Sequence, residues 1–331
     1  MLLSEVRCAV CGSTRCQHVH TFRVEQAANH LIPPLRSPDR NADLAEKLHD
    51  LWATGEVQIY DCDDCGFGFS HPFTAGTSTI YNLIGDGDAH YPSERFEFTE
   101  TVKSLRQRGR VDRLLELGAG SGAFLSKVIQ ANLACHITAL EYDDSAVASL
   151  RRLPGVNAVR GDVQELLEQS PEPFDVICMF QVLEHMDRLE SVFQALYRLT
   201  RSGSDVFVAV PNSKRIRVQE DLTGFMDMPP VHIGRWTDES LRLIGGRHGF
   251  QLVESRLDHR PARLELWALA KYRLEQRTRR AESLAANVER ISFRPARGAL
   301  KRAMAVWDLT VLSPQLGKIP PLTRLFHLRR G

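Results

Sequence analysis

Between residues 111 and 210 short apolar runs alternate with helix-like stretches, and the first run breaks into three closely spaced glycines. Val111–Leu117 leads into Gly118-Ala119-Gly120-Ser121-Gly122, with a helical pattern over Ala123–Ala131. His136–Leu140, ending at Glu141, reads as a second strand. Val156–Val159 reads as a third, followed by Gly161-Asp162 and a helix to Gln169. Phe174–Phe180 is a fourth, and Asp205–Val210 a fifth after a helix over Arg188–Thr200. Strands this continuously apolar need cover on both faces, and the intervening helices supply it. The rhythm predicts an α/β fold on a doubly wound, mostly parallel sheet, with its ligand site beyond the carboxyl ends of the strands.

The glycine turn lets a ligand approach bare backbone at a helix start, where free amides favour anionic groups. By itself it is ambiguous: Gly118-x-Gly120-x-x-Ala123, with Glu141 further on, also satisfies a dinucleotide-binding fingerprint. Three features tilt the choice. Glu116 puts negative charge beside the ligand, which suits an ammonium or sulfonium better than a pyrophosphate. Asp162 follows the third strand, placed to accept from an adenine amino group. Phe180-Gln181-Val182-Leu183-Glu184-His185 brings polar groups to the carboxyl edge.

These stretches together resemble the class I S-adenosylmethionine-dependent methyltransferases, in the branch of ubiquinone-biosynthesis and sugar methyltransferases. The likeness rests on Leu114–Gly122, Ala139–Asp143, Gly161-Asp162-Val163 and Phe174–Ile177 running on to Leu183-Glu184-His185, and spans about residues 78–258. It implies a Rossmann-like sheet and S-adenosylmethionine as cofactor. Gly118, Ala119, Gly120 and Gly122 would then form the loop under the methionine and ribose, with Glu116 facing the amino-acid end. Glu141 would hold the ribose hydroxyls with Tyr142 beside the adenine, Asp162 and Val163 would contact the adenine, and Phe180 and Gln181 would line the methionine end. Simpler roles compete: Asp162 as a helix cap, Glu141 as a surface acid, Phe180 as core.

Four of the seven cysteines form two copies of one pattern, Cys8-Ala9-Val10-Cys11-Gly12 and Cys62-Asp63-Asp64-Cys65-Gly66. Two thiolates at this spacing fill two corners of a tetrahedron, so Cys8, Cys11, Cys62 and Cys65 together predict a closed structural zinc site with no open position. Cys16, His18 and His20 are alternative ligands, and spare thiols and a redox dithiol are the competing readings. Cys135 and Cys178 read as core. The knuckles resemble the N-terminal zinc-binding module of some sugar C-methyltransferases. Their insert predicts a helix over Asp43–Trp52 and a strand at Val57–Tyr60, and residues 71–98, with Tyr81 and Tyr91, read as a long loop.

In-line methyl transfer needs alignment and, for an unactivated acceptor, a base. His185 and His232 are the catalytic candidates. His185 follows the fourth strand; His232 lies in Asp227-Met228-Pro229-Pro230-Val231-His232, before the helix start Thr237-Asp238-Glu239-Ser240. No Asn-Pro-Pro-Tyr-type motif follows the fourth strand, which argues against nitrogen methylation of nucleic acid. The expectation is an oxygen or carbon acceptor on a small molecule or a glycan- or lipid-linked one. The competing functions are a non-catalytic zinc-containing nucleic-acid or membrane-binding protein, and an NAD-dependent oxidoreductase.

Composition supports a globular chain: 43% hydrophobic and 25% charged over 331 residues, with apolar runs such as Val206–Pro211 far too short to cross a bilayer. Met1–Glu5 lacks a basic stretch followed by an apolar one, so a cytoplasmic location is expected. Three segments follow: 1–77 as zinc module, 78–262 as cofactor-binding domain, and 263–331 as a basic, mainly helical extension. The last carries 15 Lys/Arg against 5 Asp/Glu. Gln251–Arg256 reads as a sixth strand, and Leu264–Leu269 either as the seventh, antiparallel strand of the family or as a helix start. Ala299–Leu312 reads as an amphipathic helix before an irregular, proline-rich tail. Its charge, with Trp307, Leu312 and Phe326 nearby, points first to packing against the domain or a dimer partner, and otherwise to peripheral contact with an anionic membrane or a lipid-linked substrate. Oligomeric state is not legible.

Overall fold

The computed structural model describes residues 5–85, 94–169, 171–225, 228–278, 283–315 and 317–331. Tyr91 and Asp227, placed above in loops, lie outside them. The chain opens with β1 (Cys16–Arg23), α1 (Val24–Leu31), α2 (Pro38–Leu51), β2 (Glu56–Cys62) and β3 (Gly68–His71). Then come α3 (Ser78–Ile84), α4 (Phe96–Arg108), β4 (Val111–Leu117), α5 (Ala123–Gln130), β5 (Ala134–Glu141), α6 (Asp144–Leu150), β6 (Val156–Arg160) and α7 (Val163–Glu168). They are followed by β7 (Phe174–Phe180), α8 (Leu189–Leu199), β8 (Thr200–Pro211), α9 (Ser213–Thr223), β9 (Gly234–Arg235), α10 (Asp238–Arg247) and β10 (Phe250–Leu257). The rest is α11 (Ala262–Thr278), α12 (Leu284–Glu289), α13 (Arg294–Leu312) and β11 (Thr323–Arg330).

The larger sheet runs β10-β11-β8-β7-β4-β5-β6. Its five neighbours from β8 to β6 pair in parallel, and β11 alone inserts antiparallel between β8 and β10. Every residue of β7 is buried, as expected of a central strand covered on both faces. This is the α/β architecture read from the alternating pattern. The carboxyl ends of β4, β5, β6 and β7 line one edge, with Leu117 opposite Leu140, Glu141 opposite Arg160, and Glu116 opposite Cys178.

Of the two readings left open for Leu264–Leu269 the helix start holds, and the expectation of an irregular tail needs correction. Leu264–Leu269 is the first part of α11, and the seventh strand is β11, in the stretch read as an irregular tail. What fixes β11 is Asp205 on β8, 2% exposed, which accepts from His327 Nε2 and Arg329 Nε at 2.8 Å each and also pairs with Arg108. Cys135 is exposed rather than core, at the solvent end of β5, whereas Cys178 is fully buried. The long loop after the second knuckle contains α3, capped where the Thr77 hydroxyl accepts from the Ile80 amide.

The smaller sheet runs β1-β2-β3-β9. Its last strand comes from residues 234–235, beyond β8, so the N-terminal segment is closed by a piece of the central one. Arg235, 4% exposed, forms a two-pronged pair with Glu220 of α9 at 2.6 and 3.0 Å, and Trp236 packs on Phe67 with ring centroids 4.7 Å apart. A buried, bidentate pair of this kind is geometrically specific and holds the sheet against α9.

Candidate functional site

The three glycines after β4 take positive φ values of 70°, 53° and 83° at Gly118, Gly120 and Gly122. A Cβ on Gly118 would come 2.5 Å from Val182 Cγ2, and one on Gly122 2.5 Å from Leu153 Cδ1. The loop thus needs glycine both for its turn and for its close packing. Its register is held by the β5 carbonyl of Leu140, which accepts from the Gly118 and Ala119 amides at 2.9 and 3.2 Å.

Glu141 Oε2 accepts from the Gly120 amide at 2.8 Å, and Oε1 from the Tyr142 amide at 2.7 Å. Glu116 is 3% exposed, and its Oε2 has no hydrogen-bond partner among the described residues. Burial, then the neighbouring Glu141, push its pKa well above the ordinary carboxyl range, against an opposing pull from Arg95. A buried acceptor of this kind costs stability unless a donor reaches it. Its carboxyl lies close enough to Glu141 for the two to repel, so adjacent strand tips present both acids to one region.

Asp162 is a helix cap, the simpler of its two roles: Oδ1 accepts from the Gln164 and Glu165 amides at 2.8 Å, and Glu165 Oε2 accepts from the Asp162 amide. Tyr142 is exposed beside it, its hydroxyl pushed up to about 12 by partial burial and by the Asp162 charge. Val163, the first residue of α7, is buried in the core. Phe180 is 6% exposed and packs edge-on against Phe124 and Phe98, with centroids 4.9 and 5.4 Å away, so its ring belongs to the core. Gln181 takes a left-handed backbone (φ 58°), its amide donates to Ala209, and its Nε2 donates to Glu97 Oε1 at 3.4 Å.

One turn beyond, Leu183–His185 forms a short 3-10 segment pinned under the loop that carries His232. The Ile233 amide donates to the Glu184 carbonyl, and His185 Nδ1 lies 2.6 Å from the Val231 carbonyl. A carbonyl only accepts, so Nδ1 carries the proton and Nε2 is the basic nitrogen of the neutral ring. The His185 and His232 rings meet edge to face at 4.7 Å, and the Tyr81 hydroxyl is 3.4 Å from both His185 Nδ1 and the Val231 carbonyl. Burial, then Glu184 and Asp187, push Tyr81 up to about 12. Glu184, His185 and His232 offer donor atoms within 4.8 Å of one another, a spacing that one divalent cation could bridge.

The four knuckle cysteines also converge, their sulfurs all within 4.8 Å, with Cys8 to Cys65 at 3.6 Å and Cys11 to Cys62 at 3.4 Å. Sulfurs held about 2.3 Å from a central zinc lie roughly 3.8 Å apart along a tetrahedron's edge, so the donor set fits. All four are free thiols. Cys16 stands aside, donating to the Ser13 carbonyl, and His18 turns to Thr21.

The model of the methyltransferase domain matches residues 89–255, half of the chain. The chain belongs to the methyltransferase-domain family. Relatives include ubiquinone biosynthesis O-methyltransferases of Pseudomonas fluorescens (strain Pf0-1), 30% identical over 105 residues, and of Hahella chejuensis, 29% over 106. The matched stretch is 30% of this chain in both cases, and 44% and 43% of those proteins, so less than half of each relative is spanned. Among solved structures, an S-adenosylmethionine-dependent methyltransferase from Archaeoglobus fulgidus aligns at TM-score 0.46 and 16% identity, covering 70% of this chain and 94% of that one. The cyclopropane synthase MmaA2 from Mycobacterium tuberculosis aligns at TM-score 0.44 and 15% identity, covering 74% and 91%.

The structure adds Glu97 and Arg95 to the residues singled out from sequence, and it brings Tyr81, named there only as part of a long loop, against His185. Glu97, 3% exposed near the start of α4, Arg95 just before it, and Tyr81 of α3 all reach the region from segments with no strand-tip signal. Glu97 had one legible clue, an acid on a helix face otherwise built of Phe98, Val102 and Leu105.

Proposed function

We propose that the chain transfers a methyl group from S-adenosylmethionine to an oxygen or carbon of a small-molecule or glycan- or lipid-linked acceptor. The observation that carries the reading is Glu116: a buried carboxylate with an unsatisfied oxygen, next to a glycine loop with no room for side chains. Among common adenosine cofactors, a cationic donor suits that acid, because an ammonium would favour its ionised form and satisfy the open oxygen, while a pyrophosphate offers it neither a charge nor a donor. The relatives named for ubiquinone O-methylation favour oxygen as the accepting atom.

When bound, the cofactor supplies an electrophilic methyl on a sulfonium. The chain's own residues do the rest. Glu116 accepts from the ammonium of the methionine end. Glu141 accepts from the Gly120, Tyr142 and Asp143 amides, two of them on Oε1, and retains a lone pair on Oε2 for a ribose hydroxyl. Tyr142 covers the adenine, with Asp162 beside it. Val182, against Gly118, joins the glycine loop to the turn that carries His185. His185, oriented through Nδ1 by the Val231 carbonyl, takes the acceptor proton at Nε2, and His232 and Tyr81 fix the acceptor beside it. The four cysteines would bind a structural zinc, joining the turn before β1 to the end of β2 and the loop before β3.

Calorimetry with S-adenosylmethionine and S-adenosylhomocysteine tests the donor half of this reading: micromolar binding is expected, and its absence from the folded, zinc-loaded protein would end it. Mass spectrometry for addition of one methylene across metabolite and glycan extracts identifies the acceptor.

A further inference from the structure

Helix α13 turns an uncharged side to solvent. Leu300, Ala303, Val306, Trp307, Thr310 and Val311 are all exposed, while Ala305, Asp308 and Leu312 face inward. Successive residues advance about 100° around a helix, so those six share one arc, with Arg294, Arg297, Lys301 and Arg302 on its flanks and inner side. A solvated helix carries charge where this one carries Trp307 (66% exposed) and Val306 (56%). The face continues onto α11 through Leu264 and Trp267, and a cleft of about 450 Å³ between the helices is walled by Leu266, Trp267, Val306 and Leu309, with Arg263 alongside.

The surrounding charge is mainly basic. Residues 263–331 hold 15 Lys/Arg against 5 Asp/Glu, and two of those acids are hidden. Glu265 is buried against Arg215 at 2.5 Å, and Asp308 against Arg277 and Arg273 at 3.1 and 3.5 Å. Arg263, Lys271 and Arg302 remain on the surface. A second copy of the chain is a poor occupant, since a symmetric contact would press two cationic extensions together.

We propose that the α11–α13 face docks on an anionic lipid bilayer, with Trp267, Val306 and Trp307 entering the interface and Arg263 and Arg302 meeting the headgroups. Helix α11 also borders the segment that leads to His232: the Tyr272 hydroxyl donates to the Phe225 carbonyl, and Glu265 pairs with Arg215 of α9. A bilayer-held acceptor would therefore be met on the side of that segment. Docking does not depend on the identity of the methyl donor.

The full chain is sedimented with phosphatidylcholine vesicles, with and without phosphatidylglycerol, while tryptophan emission is followed. Trp52 and Trp236 are 1% and 0% exposed, so a blue shift reports Trp267 and Trp307. Expected are binding and a blue shift with anionic vesicles only, weakening in salt, and about tenfold weaker partition for Val306→Asp/Trp307→Ser and for Arg263→Glu/Arg302→Glu. All four positions are exposed, so circular dichroism and thermal unfolding should match wild type. Absence of vesicle binding, or unchanged binding by both variants, would overturn the proposal. So would a dimer in light scattering that Val306→Asp/Trp307→Ser dissolves, or equal affinity for a soluble RNA homopolymer.

Discussion

Glu141, at the tip of β5, accepts from the Gly120 amide at 2.8 Å and so ties the glycine loop after β4 to the neighbouring strand tip. Glu141→Ala removes both the loop anchor and an acceptor for the cofactor. Hydrogen bonds to a charged group contribute about 1.5–3 kcal/mol, so calorimetry should show S-adenosylhomocysteine affinity reduced about 10- to 100-fold. An affinity within twofold of wild type would remove Glu141 from the cofactor site.

Glu116 gives a prediction with opposite signs for stability and function. Its folded-state pKa is raised, so the unfolded chain gives up this proton at lower pH than the folded one. The contribution is therefore fully present below the ordinary carboxyl pKa and is lost as pH rises through the folded value. Glu116→Gln should flatten that part of the pH profile and raise the melting temperature of the cofactor-free protein at neutral pH. The same variant should weaken donor binding. Calorimetric scans across pH, with and without S-adenosylhomocysteine, separate the two effects.

For the cysteine cluster, elemental analysis should find about one zinc per chain, absent in Cys62→Ser/Cys65→Ser. Chelation should lower the melting temperature, because the four sulfurs link the N-terminus to the turn between β2 and β3. Purified protein that contains no metal yet has an unchanged melting curve would refute the assignment.

His185→Ala should lower kcat about 10²- to 10⁴-fold, the usual contribution of a positioned base, while leaving donor affinity near wild type. His232→Ala should act mainly on the acceptor's KM. If His185→Ala reduces donor binding and kcat in parallel, the residue supports the fold of the turn and is not the base.

Asp205 tests the anchoring of β11. Burial alone would raise its pKa, but hydrogen bonds from His327 and Arg329 and the Arg108 charge outweigh it, drawing the carboxyl down to about 2. With a depressed folded value, its stabilisation is present above the ordinary pKa near 3.8 and disappears as pH falls toward 2. Asp205→Asn should cost about 2 kcal/mol in denaturant unfolding at pH 7, what a carboxyl drawn down to about 2 contributes, and should erase that acid-side slope.

The parallel core was legible because its signal is local. β4 and β7 begin and end where the apolar runs do, and the glycine loop announces itself by spacing. β11 was not, because Thr323–Arg330 carries three arginines and follows two prolines. Arg324 and Arg329 are neutralised by Asp238 and Asp205, acids distant in sequence that only the fold brings near. The same reason hid the role of Leu264–Leu269, which is settled as helix by packing on α9 through Glu265 and Arg215. In the site, strand-tip acids could be read directly. Tyr81, Arg95 and Glu97 could not, since they come from outside the repeating pattern.

The pairing of β3 with residues 234–235, and the bond from the Thr237 hydroxyl to the Cys65 carbonyl, make the N-terminal knuckle and the His232 loop one inheritable unit. Exchanging either alone between homologous enzymes would leave an unmatched seam. Chimeras that aim to swap acceptor preference should transplant both stretches together, and natural recombination within this lineage would face the same restriction.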